Sequence, residues 1–277
     1  MNNAVLTLCL PALLGLVVGS FLNVLIHRLP RMMQAQWEAE ASLMSNPAAP
    51  SNLPTYNLAW PGSHCPQCQH DLRWFDNIPA LSYLLLKGRC RYCSARLGWR
   101  YLGVECLTGI LFAWAFMHHG FGVEALAWCG FSAALVALAA IDADTTLLPD
   151  AITQPLLWSG LLMSSLSWTG ISLSMSFWGA CAGYLLLWLV LHLFKWITGK
   201  EGMGQGDLKL LAALGAWLGW PALLSLVLIS SITGALVGIW LKSREKLSPE
   251  GYLPFGPFLV FAGLWVMMFG SLPPFQI

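Results

Sequence analysis

Apolar residues fall along this chain in long blocks separated by short polar breaks. A block of that kind reads as a membrane span, because crossing a hydrocarbon core of roughly 30 Å takes roughly 20 mostly apolar helical residues. Eight approximate spans are predicted: Val5–Ile26, Tyr101–Met117, Gly122–Ile141, Ala151–Trp168, Ile171–Ile197, Leu208–Trp220, Ala222–Leu241 and Phe255–Gly270. The sixth is short, and the second and third have soft edges. The pattern therefore predicts an all-α polytopic membrane protein of about eight transmembrane helices.

Composition agrees. With 57% hydrophobic and 10% charged residues in 277 and a mean hydropathy of +0.65, the chain has too few polar groups to cover a water-soluble globule. Many of its fifteen Trp stand near the ends of apolar blocks, as in interfacial aromatic belts. The net charge of +1 gives no indication of a nucleic-acid partner.

The placement of charge is more telling than its sum. All fourteen Lys and Arg fall in alternate connections: eight from Arg28 to Arg100, then Lys195, Lys200 and Lys209, then Lys242, Arg244 and Lys246. The positive-inside rule makes that side cytoplasmic and puts both termini on the external side. A miscounted span would move every later basic residue to the other side, so the segregation supports an even number. The first span has no basic region before it and no small-residue cleavage site, and reads as a retained anchor.

The polar segment His27–Arg100 has eight basic and four acidic side chains. Within it, Met32–Leu43 is expected to form an interfacial helix carrying Trp37, and Asn46–Pro61, with four prolines, a stiff irregular linker. No internal repeat is visible. The chain thus divides into an anchor (1–26), a cytoplasmic loop domain (27–100) and a seven-helix membrane domain (101–277).

The loop contains Cys65-Pro-Gln-Cys68 and Cys90-Arg-Tyr-Cys93, a C-x2-C-x21-C-x2-C arrangement. Two such knuckles bring four thiolates into a tetrahedron that suits structural zinc. A reducing cytoplasm argues against disulfides, and a dithiol shuttle needs one reactive pair rather than two matched ones. His64 and His70 flank the first knuckle and can be ligands or solvated loop residues. Cys9, Cys106, Cys129 and Cys181 read as packing residues.

Carboxylates close the inventory. The third span ends in I-D-A-D-T-T-L-L-P-D, residues 141–150, and the sixth begins in G-M-G-Q-G-D-L-K-L, residues 202–210. Both lie on the cytoplasmic side, so Asp142 or Asp144 can meet Asp207. Two carboxylates about 3 Å apart share one proton, leaving one to activate water while the other donates to a substrate carbonyl. Gly202, Gly204 and Gly206 would let the backbone bend and a substrate chain approach. The alternatives are a helix cap at Asp207 or Asp150 and a proton relay. Lys209 is expected at the interface, neutralising local charge and holding the helix end down.

Taken together, these residues resemble the type IV prepilin leader peptidases, GXGD-type aspartic peptidases that also N-methylate their product. The resemblance runs over nearly the whole chain, through G-S-F-L-N-V-L-I-H-R-L-P (19–30), the paired C-x-x-C, G-R-C-R (88–91), I-D-x-D-x-x-x-L-P-D, G-M-G-x-G-D-x-K-L-L (202–211) and P-F-G-P-F (254–258). It implies catalysis by Asp142 and Asp207, with Asp144 the second choice for the first role, because the catalytic aspartate stands eight residues before the Asp after the proline. It further implies prepilin or pseudopilin substrates of pili and type II secretion, cut after a glycine that ends a basic leader, and methylation from S-adenosylmethionine. The segment Arg100-Tyr-Leu-Gly-Val-Glu105 departs from the family's R-Y-P-L-V-E. Glu105, Glu38 and Arg91 are candidates for the methyl-transfer surface. A proton-coupled transporter using the same aspartates, and a zinc loop serving only for docking, are the competing readings. Transporters place ionisable groups near the midplane of repeated halves, a pattern this chain does not show.

Overall fold

The computed structural model describes residues 2–45, 56–65, 67–199, 203–244 and 253–272. It is all-helical, with isolated bridges but no β-strand among the described residues. The helices are α1 (Asn2–Ser45), the short α2 (Leu81–Leu85), α3 (Arg100–His119), α4 (Val123–Thr145), α5 (Asp150–Ser165), α6 (Leu173–Thr198), α7 (Gln205–Leu218), α8 (Ala222–Ser243) and α9 (Gly256–Phe269). They fall into two compact units, Met1–Ala125 and Leu126–Ile277.

Each of the eight expected spans has a helix. Five helical stretches are long and apolar enough to cross a bilayer: Leu8–Ser45, Arg100–His119, Val123–Thr145, Leu173–Thr198 and Ala222–Ser243. Helices α5, α7 and α9, at 16, 14 and 14 residues, fall short of full span length. Large apolar side chains such as Leu189 and Trp196 of α6, and Leu236 and Ile239 of α8, point outward from the fold. Exposed apolar surface of this extent belongs against lipid rather than water. The chain is a multi-pass membrane protein.

One expectation is corrected in the N-terminal unit. The first helix does not stop near Ile26 and restart at Met32; α1 continues unbroken to Ser45, through Pro11 and Pro30. Pro30 removes one rung of the hydrogen-bond ladder. Downstream of it, residues 31–44 are mostly strong helix formers without Gly or a second Pro, so propagation wins. Gln36 bonds Glu40 one turn on, at 3.1 Å. Most of the expected linker, residues 46–55, lies outside the described residues, as do Gly202, Lys200 and Lys246. The described end of the linker is tied back to α1, since the buried Arg28 donates to the carbonyls of Asn57, Leu58 and Gly62.

Helices α1 and α3 pack through small residues. A Cβ at Gly15 would lie 2.7 Å from the Gly109 Cα, and one at Gly19 would lie 2.7 Å from the Glu105 Cα. The G-x-x-x-G spacing puts both glycines on one face, which lets the backbones touch where no hydrophobic drive exists between helices in lipid.

In the second unit α7 is the buried centre. Leu210, Leu211, Ala213, Leu214 and Ala216 are fully inaccessible, as expected of a short helix that is apolar all round. Helix α6 meets it where Gly179 abuts Gly215 backbone to backbone. Polar groups fasten the contacts: Ser176 donates to the Ala216 carbonyl, and Trp217 Nε1 donates to the Leu156 carbonyl of α5 at 2.8 Å. Phe131 of α4 packs on Trp217, with ring centroids 4.8 Å apart.

Candidate active site

Asp142 lies on the last turn of α4. Helical periodicity turns Ile141 and Asp142 inward and leaves Ala143 and Asp144 exposed. Asp142 is 4% exposed. Its Oδ2 accepts the Gly256 backbone N–H at 3.0 Å, from the first residue of α9. A Cβ at Gly256 would stand 2.5 Å from that same oxygen, so the glycine of P-F-G-P-F is required for the carboxylate to sit where it does. Sequence reasoning quoted this motif only as part of the resemblance; its contact with Asp142 links residues 114 positions apart and has no local signal.

Asp207 is the third residue of α7 and is also 4% exposed. It is no N-cap: that position belongs to Gly204, and no side chain caps the helix there. In the first turn its charge is favoured by the helix dipole. The Asp142 charge acts directly on Asp207, so helices α4 and α7 bring the two carboxylates into one buried neighbourhood. Asp207 Oδ1 is buried with no hydrogen-bond partner among the described residues.

The glycines act differently from expectation. Gly204 has φ of −76°, which any residue adopts. Gly206 has no positive φ either, and is small for packing: a Cβ there would lie 2.7 Å from the Leu148 Cβ of the L-L-P-D segment. Lys209 neutralises local charge, as expected. Its Nζ lies 2.7 Å from both oxygens of Asp150, joining α7 to the start of α5. Asp150 itself follows the N-cap Pro149 and occupies the first turn.

The N-terminal unit carries the cysteines. The Sγ atoms of Cys65, Cys68, Cys90 and Cys93 all lie within 4.8 Å of one another, and Cys65 and Cys93 are 3.8 Å apart. A tetrahedron with Zn–S bonds of about 2.3 Å has an S···S edge of roughly 3.8 Å, so the four thiols suit that ion. Backbone N–H groups of Cys68 and Gln67 hold the Cys65 thiol down to about 6. No cysteine is in a disulfide. Among the described residues the cluster includes neither nearby histidine: His70 lies against Tyr92 with the rings tilted by 43°, at 3.7 Å between centroids, and His64 Nδ1 bonds the Gly62 carbonyl.

The two knuckles also share a backbone form that sequence inspection missed. In each, the N–H of the first Cys bonds the carbonyl five residues on (His70, Ala95), and a bridge closes the turn (His64 with Asp71, Arg89 with Arg96). Gln69 and Ser94, each following the second Cys, both have φ of +57°. This is a local repeat with a 25-residue offset, carried by backbone geometry and the paired cysteines.

Of the other candidates, Glu38 is exposed on α1 and Arg91 pairs with Asp76 at 2.8 Å. Glu105, on α3, is buried and accepts the Ala80 N–H at 2.7 Å.

The family model for the bacterial peptidase A24 N-terminal domain matches residues 13–119, and that for the type IV leader peptidase family matches residues 129–239. A prepilin leader peptidase/N-methyltransferase of Burkholderia pseudomallei (strain 1026b) is 50% identical over 266 residues, 95% of this chain and 85% of that protein. Proteins of the same description from Stutzerimonas stutzeri (45% over 259 residues; 93% and 89%) and Aeromonas hydrophila (47% over 260 residues; 94% and 89%) are similarly close. No solved structure matches. With both family models matched in order and relatives aligned along almost its whole length, the chain belongs to the type IV leader peptidase family.

Proposed function

We propose that the protein removes the basic leader of type IV prepilins or pseudopilins after a glycine, and N-methylates the residue so exposed. Family membership and relatives that carry both activities in their names support the two reactions. The observation that carries the peptidase mechanism is the pair Asp142 and Asp207, both buried in the second unit and close enough for the charge of one to act on the other. One carboxylate takes a proton from water, whose oxygen attacks the scissile carbonyl, while the other donates its proton to the carbonyl oxygen. The Gly256 N–H orients Asp142 and leaves its second oxygen for this exchange. Asp207 Oδ1, which bonds no group among the described residues, is placed to accept the shared proton.

In methylation, S-adenosylmethionine supplies an electrophilic methyl group on a sulfonium. The new N-terminal amine bonds to that methyl carbon as the C–S bond breaks, its electron pair going to sulfur, and the nitrogen gives up one proton. The four cysteines hold a zinc ion that braces the N-terminal unit. On the charge distribution, the sites face the cytoplasm of the inner membrane, with both termini periplasmic and the chain dividing at residues 26 and 100. A prepilin's basic leader is held on that same side by the same rule.

Purified protein incubated with a prepilin, with and without S-adenosylmethionine, and weighed by mass spectrometry tests both reactions. Leader loss and the gain of one methyl group are separate readouts. Leader removal by the Asp207→Asn protein at the wild-type rate would refute the aspartate mechanism.

A further inference from the structure

The chain that leaves α4 just after Asp142 is held against α7 at the turn where Asp207 stands. This connector between α4 and α5 is short, residues 146–149. It begins on Asp142 itself, whose carbonyl accepts the Thr146 N–H at 2.8 Å. Thr146 then turns the chain at a φ of +56°, rare for a β-branched residue. Pro149 is buried, and Asp150 opens α5.

Two contacts fix the connector on α7. Leu148 packs so closely on Gly206 that a Cβ there would lie 2.7 Å from its own Cβ. Lys209 Nζ donates to both oxygens of Asp150 at 2.7 Å. Residues 206 and 209 are three apart and share one face of the helix. Asp207 stands between them on the same turn. Asp150 is itself braced, with the buried Thr153 hydroxyl 3.5 Å from its Oδ1.

An ion pair this exposed, with side chains 29% and 59% accessible, adds little to folding. Its position gives it another use. We propose that Lys209 is a positioning residue of the peptidase: by clasping Asp150 it holds the connector on α7 and so sets the approach of Asp142 to Asp207. The inference rests on the aspartate-pair reading and adds what keeps the pair in register. Reacting groups displaced by an ångström lose rate steeply, so a contact of small worth to stability has a large effect on turnover.

The test compares full-length variants in detergent on a prepilin. K209M and D150N should each lower kcat about tenfold to a hundredfold while KM stays within about twofold, the split expected when geometry rather than binding is lost. In both, peptides covering residues 146–152 should exchange amide hydrogen faster, while those of α9 keep the wild-type rate. K209R should retain at least about half of kcat, because a guanidinium also grips both carboxylate oxygens. The exchanged pair K209D/D150K should be at least about fivefold faster than K209D, incompletely restored because a lysine at the start of α5 opposes the helix dipole. K242M, in the last turn of α8, keeps the wild-type kcat.

Removing the lysine and removing the aspartate change the local charge in opposite senses. A purely electrostatic role would therefore move the pH–rate profile in opposite directions in K209M and D150N, whereas loss of the clasp lowers the whole profile in both. Opposite displacement, an unchanged kcat in folded K209M, or K209D/D150K no faster than K209D would each overturn the assignment. Should K209M fail to fold, D150N carries the same prediction. A wild-type protein that leaves the prepilin uncut defeats the underlying reading; one that cuts it no faster than K209M does defeats the clasp alone.

Discussion

At the scale of single residues, burial separates two aspartates that stand two positions apart. Asp142 faces the interior and Asp144 does not. Replacing Asp142 with Asn keeps size and removes the ionisable group, and should lower leader cleavage by about 10²–10⁴-fold or more, the range for losing an acid–base group. Asp144→Asn should stay within about twofold; initial rates on a fluorescent leader peptide compare them. Gly256→Ala is a sharper probe, because the added methyl meets the Asp142 oxygen rather than substrate. It should cut kcat at least about tenfold, since small displacements of catalytic groups cost rate steeply. The Lys209–Asp150 pair, with both partners partly exposed, should contribute less than about 1 kcal/mol in a double-mutant cycle.

At the scale of elements, close backbone approach at glycines joins helices whose large side chains, such as Phe131 on Trp217, pack around the contacts. Gly179 against Gly215 leaves no room for a Cβ on either residue. Gly179→Ala should destabilise the second unit by about 1–3 kcal/mol, the usual range for overpacking, read as a lower midpoint when the protein is titrated from mild detergent into SDS. Gly19→Ala should act similarly on the α1–α3 contact, where the obstacle is the Glu105 backbone. Both effects are invisible to hydropathy, because a glycine in an apolar block looks the same whether it faces lipid or another helix.

At the scale of the whole molecule, the four-cysteine cluster lies in one compact unit and the buried aspartate pair in the other. Chelation of the purified protein should remove one metal ion per chain and lower the unfolding temperature. Any ligand that binds the folded form alone stabilises it by mass action. Cys68→Ser should bring the metal content well below one, measured by elemental analysis. Loading should weaken at acid pH, since protons compete with the ion for the thiolates.

Long apolar blocks, the one-sided distribution of Lys and Arg, and the paired C-x-x-C were legible from the amino-acid sequence because each is a local or compositional property. Burying backbone polar groups in lipid leaves helix as the only open-chain solution, so the spans follow from hydropathy. In residues 31–44 helix propensity outweighs the polar composition that marks the end of the apolar block, and α1 runs on. What needed the tertiary structure were the long-range contacts. Gly256 against Asp142, Lys209 on Asp150, Gly206 against Leu148 and Ala80 on Glu105 join residues between 25 and 114 positions apart. Periodicity says which face of a helix is apolar; only the packing of one helix on another decides which carboxylate is buried and what it meets.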